Sequence, residues 1–192
     1  MSQLHKNIII TSIGHFLVHA MTMILPAILV ILEKEFSVSL IALGQLATIQ
    51  ILFLGLGGFP AGILADRFGS RMVLMLFFVG LIISSIWLYI STTFSMVAIG
   101  LGFLGLITGL YHPAGLKMIS HSPNVSRYMG YHGVAGSLGL AAGPMYGAWM
   151  ASWQGWRIAY LLLGSLALLG FIILLFYHHE QVPRSNKIKL KF

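Results

Sequence analysis

The chain has no cysteine and only four acidic residues among its 192 residues. Without cysteine, a disulfide framework and a thiolate metal site are both excluded. The acids are Glu33, Glu35, Asp66 and Glu180, and none of them lies within the core of a long apolar run. A buried carboxylate pair for acid–base catalysis is therefore excluded, and we expect no catalytic residues, because serine, histidine and acid never combine at one depth.

Polar sequence is equally scarce. Charged residues make up 8% of the chain and hydrophobic residues 58%, and the longest polar stretch is the tail from His178 to Phe192. No stretch of this sequence is polar enough for a soluble domain, and no phosphate-binding loop signature occurs. We therefore expect a membrane protein that needs no cofactor.

Six apolar runs are long enough to cross a membrane, since a spanning helix needs about 20 apolar residues. Helices are expected because the edges of an open sheet cannot be satisfied in lipid. The runs are Ile8–Leu32, Ile41–Ala65, Met72–Ile90, Met96–Met118, Met129–Ala151 and Ile158–Tyr177. The sequence predicts an all-α membrane protein, with a six-helix transmembrane domain over residues 1–182 and a basic cytoplasmic tail over residues 183–192.

The formal charge of +7 does not indicate a nucleic-acid partner, because the basic residues lie in short connectors and in the tail. If the amino terminus is cytoplasmic, Lys34 and Arg157 are the two basic residues outside, and nine lie inside. That asymmetry follows the positive-inside rule and predicts a multi-pass protein of the cell membrane with both termini cytoplasmic. The tail is expected to contact membrane lipid. The inner residues are Lys6, Arg67, Arg71, Lys117, Arg127, Arg184, Lys187, Lys189 and Lys191.

A short repeat divides the chain in two. Gly69-Ser70-Arg71 opens the third span, and Gly155-Trp156-Arg157 opens the sixth span 86 residues later. Three spans per unit invert the second copy in the membrane, as in many secondary transporters. The sequence therefore predicts two inverted three-helix repeats.

Two longer motifs carry a family resemblance. The connector between spans two and three fits the pattern G-x-L-x-D-R-x-G-x-R/K through Gly62, Leu64, Asp66, Arg67, Gly69 and Arg71. Span five fits G-x-x-x-G-P-x-x-G through Gly139, Gly143, Pro144 and Gly147. With these motifs the chain resembles the amino-terminal six-helix half of a major facilitator superfamily transporter, and span five resembles the family's antiporters. The segments Tyr111-His112-Pro113 and His15-Phe16 with Pro26 resemble its fosmidomycin-resistance-like branch.

The resemblance implies secondary transport of a small organic molecule by alternating access, with proton-coupled export favoured by the motif in span five. It also implies a second six-helix unit, either another copy or a separate chain, because the family fold joins two six-helix halves. The family's arginine in span four has no counterpart between Met96 and Lys117. Three alternatives stay open: an uptake symporter, a truncated or partner-requiring half without transport of its own, and an intramembrane enzyme, which the missing buried acids disfavour.

The charged residues of the connector motif between spans two and three are able to form contacts that close one side of the protein. Asp66 ends span two, with Arg67 and Arg71 close in sequence, so it is able to pair with Arg71 and to face the positive amino-terminal end of another helix. In the family such contacts hold the cytoplasmic side closed. The alternative is an ordinary charged loop that follows the positive-inside rule.

The glycines of span five have two interpretations. Gly139, Gly143 and Gly147 lie on one helix face at a spacing that favours close helix contact in lipid, and Pro144 adds a bend. They either form a bendable helix that seals one side of the pathway, or they only pack inside the bundle.

Histidine is the one residue type able to titrate near neutrality inside the spans. His15 and His19 lie one helical turn apart in span one, roughly 10 Å and 16 Å from its inner edge. They are predicted to line a cavity for substrate or protons, or else to form hydrogen bonds between helices. A metal site is not expected, because neither an acid nor a third ligand is evident nearby.

Spans two, four and five add further polar candidates for the pathway. Tyr111 and His112 lie toward the cytoplasmic end of span four, and His132 lies at a similar depth in span five. His112 and His132 are therefore possible neighbours across the hairpin. Gln45, in the outer part of span two, is a weaker candidate.

Overall fold

The computed structural model describes residues 3–120 and 122–176, and side chains from His5 onward. The described residues form seven α-helices and no strand: α1 Gln3–Thr22, α2 Ile24–Phe36, α3 Leu40–Phe68, α4 Ser70–Ile90, α5 Phe94–Ser120, α6 Val125–Trp153 and α7 Trp156–Leu175. Because α1 and α2 continue one another, they make six rods, which confirms the all-α fold with six helices. The predicted boundary at residue 182 and the basic tail lie outside the described residues.

Five rods are long and apolar enough to be candidate spans: His5–Phe36, Leu40–Phe68, Ser70–Ile90, Phe94–Ser120 and Trp156–Leu175. The remaining predicted span, Met129–Ala151, lies within α6, which is less apolar. Its six glycines, together with Arg127, His132 and Pro144, lower its hydropathy. α6 nevertheless packs along α1 and against α2 and α7, so it lies among the spanning helices.

The first rod is interrupted at Met23, between α1 and α2. Pro26 has no N–H to donate to the carbonyl of Thr22, so the helix cannot continue unchanged past that turn. A new helix begins at Ile24, with Pro26 in its first turn, where a proline is tolerated. The apolar run Ile8–Leu32 predicted a continuous helix here, so the break is a correction to that prediction.

α3 runs parallel to α5 along its length, and α4 packs antiparallel to both α5 and α7, between them. Large buried side chains fill the centre, among them Phe77, Phe78, Tyr111, Trp156 and Tyr160. We call the end of the bundle where α3 ends and α4 begins the Asp66 end, and the opposite end the Glu35 end. The starts of α1 and α6 and the ends of α5 and α7 also lie at the Asp66 end.

The two inverted repeats are confirmed by matching helix starts. Gly69 precedes α4 with φ 87° and ψ 151°, and Gly155 precedes α7 with φ 92° and ψ 151°. A positive φ of this size favours glycine, since a Cβ would be strained there. Because α4 and α7 run antiparallel, the same turn occurs once at each end of the bundle.

Candidate functional site

Four histidine rings and one tyrosine ring meet where α1, α5 and α6 come together. We call this group the histidine cluster, and its members are His15, His19, Tyr111, His112 and His132. The ring of His15 lies at its centre: its centroid is 4.0 Å from that of His132 and 4.8 Å from that of His19. The centroid of His112 is 5.3 Å from that of His15, and the two rings meet edge to face. The structure therefore brings together five of the six polar residues predicted for the pathway.

Hydrogen bonds link the cluster across the three helices. His15 Nδ1 lies 2.7 Å from the backbone carbonyl of His132, to which it donates, since a carbonyl only accepts. His15 Nε2 lies 3.1 Å from His19 Nε2, and the Tyr111 hydroxyl donates to the carbonyl of Thr11. These bonds hold α1 against α5 and α6 at one level of the bundle.

The cluster is closed on one side and open on the other. Tyr111 and His132 are buried, whereas His15, His19 and His112 are half-buried. No acidic residue belongs to the cluster, since the acids of the described helices, Glu33, Glu35 and Asp66, lie at helix ends. Within the apolar part of the bundle, the cluster thus has three half-buried imidazole rings on its open side.

Gln45 is placed differently from the other predicted pathway residues. It is exposed on α3, which does not supply the cluster. Gly136, which the sequence analysis missed, does belong to the site, because a methyl group there would lie 2.6 Å from His15 Nδ1. Gly136 lies about one helical turn before Gly139, so the series of glycines in span five could have been extended to it from the sequence.

The connector motif at the Asp66 end, which was predicted to close the cytoplasmic side, has other partners than expected. Asp66 pairs with Lys117 of α5 at 2.5 Å instead of with Arg71, and Lys117 also donates to the Ala65 carbonyl at 2.8 Å. Arg71 reaches the end of α7, where its Nη2 donates to the Leu174 carbonyl at 2.8 Å. A cation at the negative carboxyl end of a helix is favourable. The pair of Asp66 with Lys117 was not predicted. Lys117 lies in the last turn of span four, at the same side of the membrane as Asp66, and this position could have indicated the pair.

Arg67 and Gly62 of the motif take no part in these pairs. Arg67 lies over the ring of Phe68, with its guanidinium carbon 5.3 Å from the ring centroid. At Gly62 a methyl group would meet nothing within 4 Å. Gly62 therefore faces open space along α3 instead of packing inside this bundle.

A second charged group, which the sequence analysis did not single out as a site, lies at the Glu35 end. The Glu35 carboxylate accepts from Arg157 Nη2 at 2.5 Å and from Trp156 Nε1 at 2.8 Å. Arg157 Nε donates to the Ser91 carbonyl at 2.8 Å, at the end of α4. Arg157 therefore caps α4 as Arg71 caps α7, and the acid joins α2 to that cap.

The glycines of the antiporter-like motif are buried and face the first rod. A methyl group at Gly143 would lie 2.9 Å from Met23 Cβ, and one at Gly147 would lie 3.2 Å from Ile24 Cα. Gly139 packs against Phe16 and His19. Close packing along the first rod is thus observed, while the two interpretations of a bendable seal and of simple packing remain open.

Comparison with known proteins identifies the family. The family model described as Major Facilitator Superfamily matches residues 11–191 of the chain. The chain belongs to the Major Facilitator Superfamily. Its apolar helices and this membership make it a multi-pass membrane protein. The fosmidomycin-resistance-like branch stays a prediction.

Several transporters of this superfamily are similar to the chain. It is 30% identical over 146 residues to the "Probable L-galactonate transporter" of Escherichia coli K12, an alignment that covers 71% of this chain and 31% of that protein. It is 26% identical over 143 residues to the "Tetracycline resistance protein, class H" of Pasteurella multocida, covering 73% of this chain and 35% of that protein. It is also 26% identical over 162 residues to the "Tetracenomycin C resistance and export protein" of Streptomyces glaucescens, covering 80% and 30%. The chain spans about a third of the length of these relatives.

Proposed function

We propose that the chain forms one six-helix bundle of a secondary transporter that moves a small organic molecule by alternating access. The observation that carries this proposal is the histidine cluster, which gathers polar rings from three helices on an accessible face inside the apolar bundle. Polar groups at membrane depth are costly and usually face a cavity or a transport path. The cluster is therefore the proposed site for substrate and protons, and the protein needs no enzymatic step.

Protons are the proposed coupling ions. The acids of the described helices lie at helix ends, so histidine is the residue type in the cluster that is able to accept a proton as an imidazole. The 3.1 Å contact between His15 and His19 places two such groups within proton-transfer distance.

Export is the proposed direction, with uptake as the alternative. The glycine motif of α6 resembles that of antiporters, and one of the relatives carries the name of an export protein. The name of the galactonate transporter supports transport of an organic anion without giving a direction. Substrate class and direction are thus supported by different relatives.

A second six-helix unit is proposed as the partner. His15, His19 and His112 are half-buried, and in a lone bundle their open face would lie against lipid. A facing bundle would turn that surface into the wall of a closed path, and rocking of the two bundles would expose it alternately to each side. The remaining alternative is a partner-requiring half that performs no transport alone.

Liposome flux tests this function. The purified full chain is reconstituted, its oligomeric mass is measured, and an imposed pH gradient drives uptake of labelled L-galactonate or tetracycline as probes. We expect probe-dependent proton movement that falls at least about tenfold in His15→Gln and His112→Gln. The control is His5→Gln, at the exposed start of α1, which should keep the wild-type rate of proton movement.

Flux from a strictly monomeric preparation would contradict the need for a second unit. A multimer inactive with both probes would favour the alternative without transport.

A glycine pair tests whether the position of His15 matters. We expect Gly136→Ala to displace the His15 ring and to lower flux, because the added methyl would lie within 2.6 Å of its Nδ1. Gly133→Ala on the same helix is the matched control, since its methyl would meet nothing within 4 Å. Equal flux in both variants would remove the His15 position from the proposed mechanism.

The cytoplasmic position of both termini is proposed from the basic asymmetry of the connectors. Reporter fusions at Ser70 and Ser122 should report the cytoplasm, while fusions at Lys34 and Thr93 should report the outside. Ser70 and Lys34 on the same side would contradict the six-span arrangement.

A further inference from the structure

Three imidazoles of the histidine cluster converge as metal ligands do. One ring nitrogen from each of His15, His19 and His112 lies within 4.8 Å of the other two. Imidazole nitrogens suit Zn²⁺, Cu²⁺ and Ni²⁺ in proteins. In the sequence, His15 and His19 have no third ligand nearby, and the fold supplies one by bringing His112 of α5 against α1.

The closest pair already has the spacing of two metal ligands. His15 Nε2 and His19 Nε2 are 3.1 Å apart. Two nitrogens bound to one tetrahedral zinc ion, each at 2.0–2.1 Å, would be about 3.3 Å apart. Only His112 has to approach, by up to about 1.5 Å from the 4.8 Å limit to the zinc spacing, and its ring is half-buried.

The hydrogen bond at the other side of His15 prepares it as a ligand. Because His15 Nδ1 donates to the His132 carbonyl at 2.7 Å, the neutral ring carries its lone pair on Nε2, the atom that faces His19. Metal-binding histidines commonly donate their second N–H to a backbone carbonyl, which fixes the ring and makes it more basic. The stacked ring of His132, 4.0 Å from that of His15, further restrains the ring.

We propose that His15, His19 and His112 bind one divalent transition-metal ion of the zinc class through three imidazole nitrogens. The fourth position lies on the half-buried side and takes water or an anion from solution, as in zinc sites that keep one position open. The alternative for the same atoms is a plain hydrogen bond between His15 and His19 with no ion. The two arrangements differ in what the site does when metal is added.

Metal titration distinguishes them. The full chain, purified with a tag that contains no histidine and held in nanodiscs, is titrated with Co²⁺ while its visible spectrum is recorded. We expect the intense absorption of four-coordinate Co²⁺ at one ion per chain, and its loss when Zn²⁺ is added in competition. A spectrum of octahedral Co²⁺ only, or no saturable binding, would overturn the proposal.

Ligand variants identify the residues. We expect His15→Gln and His112→Gln each to weaken Zn²⁺ binding by at least about 100-fold, the upper end of what loss of an outer-shell partner costs. The control replaces the adjacent tail histidines, His178→Gln with His179→Gln, and should leave the affinity unchanged. Unchanged affinity in the cluster variants, or loss in the tail control alone, would overturn the assignment.

X-ray absorption of the zinc-loaded wild-type chain gives a measurement that no folding defect can disturb. Three imidazole nitrogens at 2.0–2.1 Å are expected. Two or fewer imidazoles would contradict the site. These experiments measure metal binding and need no flux, so they test the metal site independently of the proposed transport function.

Discussion

The two ends of the α4–α7 pair are built from the same repeat but are closed differently. At the Glu35 end, Arg157 joins the end of α4 and the carboxylate of Glu35, and the two side chains are only 27% and 32% exposed. At the Asp66 end, Arg71 caps α7 by itself, and Asp66 pairs with Lys117 while remaining 78% exposed. The charged network at the Glu35 end is thus completed within this bundle. At the Asp66 end, the carboxylate of Asp66 stays largely exposed and is able to bind a further partner.

From this difference we expect the contacts at the Glu35 end to be fixed and those at the Asp66 end to be reversible. A half-buried network of Arg157, Glu35 and Trp156 ties three helices together and resists change. An exposed pair such as Asp66 and Lys117 contributes little to stability, so another helix end is able to replace Lys117 at small cost. A gate of the kind that the connector motif predicts is therefore expected at the Asp66 end.

The largest expected effect is on stability at the Glu35 end. We expect Arg157→Ala to lower the free energy of unfolding by about 2–4 kcal/mol, because it removes the ion pair with Glu35, leaves that half-buried acid without its cation, and removes the hydrogen bond to Ser91. Arg71→Ala, its repeat counterpart, should cost less, about 1–2 kcal/mol, since the partners of Arg71 are backbone carbonyls at the end of α7 and no acid loses its cation. Thermal unfolding of the two variants in the same detergent measures the difference. Equal losses would show that the two ends are equally closed.

A second effect, on transport, is expected at the Asp66 end. We expect Asp66→Asn to lower flux of the assembled transporter at least about tenfold, which corresponds to about 1.4 kcal/mol in the barrier, with little change in membrane level. Glu35→Gln is the matched control and should lower the melting temperature while keeping flux per folded molecule. Normal flux in Asp66→Asn would remove the gate from this end.

The smallest effect concerns Lys117. Lys117→Met removes the partner of Asp66, and we expect a change of about 0.2–1 kcal/mol in unfolding free energy, as for other exposed ion pairs. The same variant should make Asp66 more reactive toward a carboxylate-modifying reagent. A stability loss as large as that of Arg157→Ala would mean that the Asp66 pair is a fixed structural contact after all.

Much of the fold could be predicted because hydropathy and length are local properties. The six rods follow the apolar runs, and the repeat of Gly69 and Gly155 predicted the inverted halves. The break at Met23 was missed, since a proline three residues later is compatible with a helix start as well as with a kink. The partner of Asp66 was wrong because nearness in sequence favoured Arg71 over a residue 51 positions away.

The sequence by itself determined which segments are helices and which polar residues enter the apolar bundle. Only the tertiary structure decided that His112 meets His15 and His19, that Arg71 and Arg157 cap each other's helices, and that Gln45 stays outside the cluster. The reason is physical: the period of a helix places residues on a face, but the rotation and tilt of packed rods decide which faces meet. In this bundle, those rotations are set by small residues such as Gly109, whose added methyl would lie 2.9 Å from the backbone nitrogen of Gly58.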